Sequence, residues 1–237
     1  MRSNNRSVAI AGIAAEPPVA TEPPYFTRAD IDALGAAPHL VRAPHVVGES
    51  HVGRTTLAAR APYVVALGEY RGELRRAIHA LKFRNARWIA VRFGRHLAHA
   101  VQEYSHQAEA RGVPLEPIDV VTFAPTTHRR MRLRGHDQSA LLAASVGRTL
   151  RARCTRTLRR VDDRVQTGSS RTDRLRGPRY VVRGHAVRGC TVLLVDDVLT
   201  TGSTLRRARE ALMQAGAREV RCAVVAYVKA PPLSRVE

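Results

Sequence analysis

The stretch V192-L-L-V-D-D-V-L-T-T-G-S-T-L205 decides how this chain is read. Four apolar residues end on two adjacent carboxylates, Asp196 and Asp197, and a run of hydroxyls around one glycine follows at once. An apolar run of that length reads as a buried strand, and "STLRRAREALMQAG" (203–216) reads as a helix with Leu205, Ala208, Leu212 and Ala215 inward. Between them, Thr200, Thr201, Gly202, Ser203 and Thr204 form a strand-to-helix loop. Gly202 lets the backbone turn and approach a ligand closely. The hydroxyls are donors, and the unpaired N–H groups at the helix start carry the positive end of its dipole. Such a loop suits a phosphate that is held, since no lysine stands in it to assist transfer. Two carboxylates a few residues upstream suit a vicinal diol as hydrogen-bond acceptors. Together these describe a site for a ribose 5-phosphate, with negative charge available beneath a cation developing at the anomeric carbon.

The same pattern excludes neighbouring classes. A Walker B strand needs a partner G-x-x-x-x-G-K-[ST], and neither Lys82 nor Lys229 has that context. A receiver domain carries its acid pair early, whereas only 40 residues follow Asp197 here. A bare turn with a helix cap would leave the two acids without a purpose.

Working outward, strand and helix patterns alternate. "PYVVAL" (62–67), "IDVVTFAP" (118–125) and "EVRCAVVAYV" (219–228) read as strands. "GELRRAIHALKF" (72–83), 87–112 and "QSALLAASVGRTL" (138–150) read as helices, the second with Ile89, Phe93, Leu97, Val101 and Tyr104 on one face. Alternation of this kind predicts an α/β fold with an open, mostly parallel sheet flanked by helices. Ligands in such sheets sit beyond the carboxyl ends of the strands, where the acid pair lies. Residues 1–58 are rich in Pro, Ala and Gly without a sustained period and read as an irregular, loosely attached extension in which "RADIDALG" is one short helix. The folded domain is expected over 59–237.

The formal net charge is +19, from 39 Lys+Arg against 20 Asp+Glu. Only two of the 39 are lysines, which points to codon bias for arginine but does not explain the shortage of acids. A chain this basic attracts phosphorylated small molecules or nucleic acid. Cys154, Cys190 and Cys222 form no C-x-x-C, so neither a zinc ribbon nor a thioredoxin-type site is expected. Reduced core thiols and a cytoplasmic location are the expectation. No apolar run approaches a membrane span, and "VAIAGIAA" (8–15) is too short and weakly apolar for the core of a signal peptide.

The 192–205 stretch resembles the phosphoribosyl-pyrophosphate (PRPP) motif of type I phosphoribosyltransferases. "YRGELRRAIHALKF" (70–83), "RRMRLRGHDQSALLA" (129–143) and "RVQTGSSRTDR" (164–174) are similar to blocks of the ComF/GntX family, over about residues 62–230. The family's usual cysteine-rich start is missing, His136-Asp137 stands where Phe-Asn is common, and Gly177 where Asn is common.

The resemblance implies PRPP bound as a Mg²⁺ complex, the metal held by ligand oxygens and water with no direct protein ligand. It implies transfer of the ribosyl 5-phosphate to a nitrogenous acceptor with release of pyrophosphate. Asp196 and Asp197 would take the ribose hydroxyls, and Thr200, Thr201, Gly202, Ser203 and Thr204 the 5′-phosphate. The loop 124–137, with Arg129, Arg130, Arg132 and Arg134, would face pyrophosphate, since guanidinium forks fit phosphate oxygens. Residues 159–180 correspond to the family's flexible catalytic loop, with Gln166, Arg171 and Arg174 matching its block. Lys82, in the family's "LKF", is either a pyrophosphate contact or a surface lysine snorkelling from a helix end. The alternative is a PRPP sensor or DNA-handling accessory without turnover, its nucleic acid held on Arg148, Arg151, Arg153 and Arg156. Neither the acceptor nor the oligomeric state, a dimer included, is readable from the sequence.

Overall fold

The computed structural model describes residues 26–35, 39–42, 63–161, 178–184 and 186–229. In chain order the elements are α1 (Arg28–Leu34), β1 (His39–Arg42), β2 (Tyr63–Glu69), α2 (Gly72–Phe83), α3 (Arg87–Ala110), β3 (Val120–Phe123), α4 (His128–Arg134), α5 (Gln138–Leu150), β4 (Arg153–Cys154), β5 (Leu158–Val161), β6 (Arg179–Val182), β7 (Thr191–Leu199), α6 (Ser203–Gln214) and β8 (Glu219–Tyr227).

Six strands form one sheet in the order β1-β2-β8-β7-β3-β4. The pairs β2–β8, β8–β7, β7–β3 and β3–β4 are parallel, and only β1 runs antiparallel, on the edge of β2. The expected mostly parallel α/β sheet is the fold observed. Its strands are apolar on both faces because both are covered. Along β7, Leu193 and Val195 enter a core with Leu81, Phe93, Leu97 and Val146, which places α2, α3 and α5 on one face. Val192 and Leu194 enter a second core with Leu158, Tyr180, Leu205, Ala208 and Leu212, which places α6 and the β5–β6 pair on the other. On the first face α3 and α5 pack closely: a Cβ at Gly94 would fall 2.4 Å from the Ser145 Cβ. Ser145 Oγ donates to the Val91 carbonyl at 2.7 Å across that crossing.

Three expectations change. Residues 1–58 do not stand apart throughout, because α1 and β1 belong to the body. Thr27 and Asp30 cap α1 reciprocally, Ile31 is fully buried in the first core, and Asp32 meets Arg92 at 3.0 Å and His96 at 2.9 Å on α3. The loop 124–137 contains a helix, α4. It has no buried residue, and it is held by its ends: Thr127 accepts from Arg130 N at 3.2 Å, and Gly135 closes it with φ 71°. The loop 159–180 begins and ends in strand, since β5 and β6 pair antiparallel. Among the described residues no helix is long and apolar enough to cross a membrane.

Candidate functional site

The carboxyl ends of β3 and β7 lie side by side, with Phe123 opposite Val195. Beyond this point β7 carries Asp196 and Asp197, and beyond β3 the chain enters the arginine helix. Asp196 is buried, at 9% exposure, and Asp197 is half-buried. One oxygen of Asp196 collects two hydrogen bonds: Ser139 Oγ donates at 2.7 Å and the Asp197 backbone N–H at 2.9 Å. Burial, and then the neighbouring charge of Asp197, push the Asp196 carboxyl up to about 7; the two hydrogen bonds and Lys82 oppose the rise.

Asp197 is answered by a cation. Lys82 Nζ lies 2.8 Å from its Oδ2, and both side chains are only 17% exposed. The lysine comes from the last turn of α2, so the structure brings it to the acid pair and not to a surface position. The backbone around it is fixed from α4 and the segment after it. His136 Nε2 donates to the Leu81 carbonyl at 3.0 Å, and the Arg134 guanidinium lies over the Phe83 ring, 4.9 Å from its centre. Arg134 also donates to Gln138 Oε1 at 3.0 Å.

The hydroxyl loop follows β7 directly. Gly202 is the N-cap of α6 with φ 72°, a conformation that glycine adopts without cost. Thr200 and Thr201 are exposed, Ser203 and Thr204 are half-buried at the helix start, and Thr201 Oγ1 donates to Ser203 Oγ at 3.2 Å. These five residues, Asp196, Asp197 and Lys82 therefore lie in one region of the structure. Arg129, Arg130 and Arg132 are exposed on α4, while Arg134 is half-buried. Burial pulls the Arg134 guanidinium below its usual range, and the charges of Asp197 and Asp137 oppose this. Gln166, Arg171 and Arg174 lie outside the described residues.

Three residues of this site were missed in the sequence. Asp137 caps α5, accepting from Ser139 N at 3.2 Å and Ala140 N at 3.4 Å, and also ties down the loop by accepting from Thr126 N at 3.0 Å. Burial raises its carboxyl above the ordinary range. Ser139 orients Asp196. Tyr180, on β6, is buried; burial and then the Asp196 charge raise its phenol far above the usual value. The capping pattern Asp-x-Ser before an apolar helix was the available signal for Asp137; nothing local signals the other two.

Residues 138–235 match the phosphoribosyl transferase domain model. The chain is 30% identical over 168 residues to the DNA utilization protein YhgH of Salmonella typhi, covering 66% of this chain and 68% of that one. It is 29% identical over 163 residues to competence protein F of Haemophilus influenzae, covering 66% and 69%. The chain belongs to the ComF family of type I phosphoribosyltransferases. Among solved structures it is similar to a glutamine PRPP amidotransferase from B. subtilis (TM-score 0.38, 24% identity, 57% of this chain and 25% of that one). It is also similar to a purine phosphoribosyltransferase from Pyrococcus horikoshii (TM-score 0.37, 16% identity, 62% and 95%).

Proposed function

We propose that this ComF-family chain binds PRPP and transfers its ribosyl 5-phosphate to a nitrogenous acceptor, releasing pyrophosphate. The observation that carries the reading is the junction of β7 and α6, where an acid pair, Asp196 buried and Asp197 half-buried, runs directly into a hydroxyl loop capping a helix with a left-handed glycine. The backbone N–H groups of Gly202–Thr204 and their hydroxyls take the 5′-phosphate. Asp197 and Asp196 accept from the ribose hydroxyls below the ring. As the bond from the anomeric carbon to pyrophosphate breaks, pyrophosphate leaves with the electron pair. The positive charge left on the ring is stabilised by the carboxylate beneath it. The acceptor nitrogen then bonds to that carbon and its proton passes to solvent. Arg129, Arg130 and Arg134 take the departing pyrophosphate by guanidinium–phosphate pairing.

Magnesium accompanies PRPP in this reading. Asp197 faces the Lys82 ammonium at 2.8 Å. A Mg²⁺ ion carried in with PRPP would be held by phosphate oxygens and water.

The test is thermal unfolding with millimolar PRPP and Mg²⁺. Ligand at a hundredfold excess over its Kd stabilises by about 2.7 kcal/mol. The Asp196→Asn, Asp197→Asn double variant is expected to stay folded and lose that shift. Absence of a shift in the parent protein refutes the reading. Release of pyrophosphate with a panel of nitrogenous bases then separates an enzyme from a binder.

A second reading, single-stranded nucleic acid binding, is favoured by one surface. Phe83 is 59% exposed and Trp88 38% exposed, around a turn that also carries Arg84 and Arg87, and Phe83 touches the arginine helix. Aromatic faces beside arginines stack bases and pair phosphates. Arg148, Arg151, Arg153 and Arg156, the sequence-based candidates, are exposed about β4.

A further inference from the structure

We propose that Lys82 is the resident counter-cation of the acid pair, so that the ribose phosphate is recognised there without a divalent metal. The inference rests on the ribose-phosphate reading above and specifies how that site is charged. Two adjacent carboxylates, one of them buried, call for a positive partner. The partner present is an ammonium at 2.8 Å from Asp197, itself only 17% exposed. Lys82 is not placed there by a long side chain wandering to the nearest charge. The residue before it is fixed through its carbonyl by His136, and the residue after it through its ring by Arg134. Those contacts link the end of α2 to the segment that carries the arginines.

The residue type fits the task. Of 39 basic residues only two are lysines. An ammonium is a compact point charge with rotatable donors, whereas a guanidinium is a planar fork that would span both carboxylates and cover the oxygens a diol must reach. Lys82 is therefore a positioning residue: it holds Asp197 through Oδ2, leaving the other oxygen of Asp197 to accept from a ribose hydroxyl.

The probe is ribose 5-phosphate, which has no pyrophosphate to carry Mg²⁺, titrated calorimetrically into the full chain in EDTA and in millimolar Mg²⁺. The parent protein is expected to bind with Kd values within twofold of each other. Lys82→Met is expected to lose about tenfold in EDTA and to regain part of it in Mg²⁺, because a free divalent ion can then replace the missing charge. Lys82→Arg is expected to recover affinity in EDTA only in part. A parent protein that binds ribose 5-phosphate only with Mg²⁺ overturns the proposal, and this arm needs no variant to fold. A Lys82→Met loss that is equal in both media also overturns it, since that marks a purely structural role. Absence of binding by both ribose 5-phosphate and PRPP in either medium overturns this proposal together with the reading on which it rests.

Discussion

Asp196→Asn should make this protein more stable at neutral and alkaline pH, although the residue lies at the centre of the site. The folded chain holds the Asp196 carboxyl at about 7, against an ordinary value of 3.8, chiefly because it is buried and secondly because Asp197 is beside it. A group whose folded pKa is raised contributes stability that is fully present below its unfolded pKa and is lost as pH rises through the folded one. The loss therefore runs from about pH 4 to about pH 7. A gap of this size corresponds to about 4 kcal/mol as an upper limit, and relaxation of the site brings the expectation to roughly 2 kcal/mol. Asparagine keeps a carbonyl oxygen for Ser139 Oγ, now 2.7 Å from the carboxylate, and removes the charge. For a chain of this size about 2 kcal/mol is worth roughly 4–8 °C in Tm. Thermal unfolding followed by circular dichroism from pH 4.5 to 8.5 reads it directly. The variant should match the parent at the acid end and lead it by several degrees at pH 8. A variant that is less stable at pH 8, or a difference that does not vary with pH, would refute the reasoning.

Ile31→Ala should lower stability by about 2–5 kcal/mol in urea unfolding, because a fully buried isoleucine of the first core leaves a cavity behind; no measurable change would mean that α1 does not belong to the body. If single-stranded DNA is bound, the affinity should fall steeply with salt. Phe83→Ala should then cost about 1–3 kcal/mol of binding at a fixed salt concentration, read by fluorescence anisotropy, whereas charge reversal at Arg148 and Arg151 having the larger effect would move the interface to the β4 side.

The sheet and its main helices were legible because each carries its own period. β7, α6, α3 and α5 repeat apolar residues at strand or helix spacing, and the acid pair and hydroxyl loop are contiguous in sequence. What was not legible has no period to show. α1 was legible as a short helix but its docking was not, because it contributes a single buried side chain, Ile31, too little to mark attachment in a Pro- and Ala-rich stretch. α4 buries nothing and exists because of Thr127 at one end and Gly135 at the other. β4 is two residues long and is defined only by its pairing with β3. Within the site, the hydroxyl loop could be read as a unit. The contact of Lys82 with Asp197 and that of Ser139 with Asp196 could not, because they join elements far apart in the chain and are decided by how α2 and α5 pack on the sheet.

The strand order has a consequence for how the molecule is made. β8 is the latest of the described strands in chain order, yet it lies between β2 and β7, hydrogen-bonded to both. While a ribosome is still adding residues up to Glu219, the nascent chain has a gap in the middle of its sheet, with the apolar edges of β2 and β7 facing it. The core can close only after Tyr227 has emerged, by pairing segments more than 150 residues apart along one side, as Val64 with Cys222. Such long-range pairing is slow and leaves unpaired strand edges open to association in the meantime. Expression of this protein should therefore be sensitive to chaperone supply, and to truncations that remove β8, well before any residue of the ribose-phosphate site is touched.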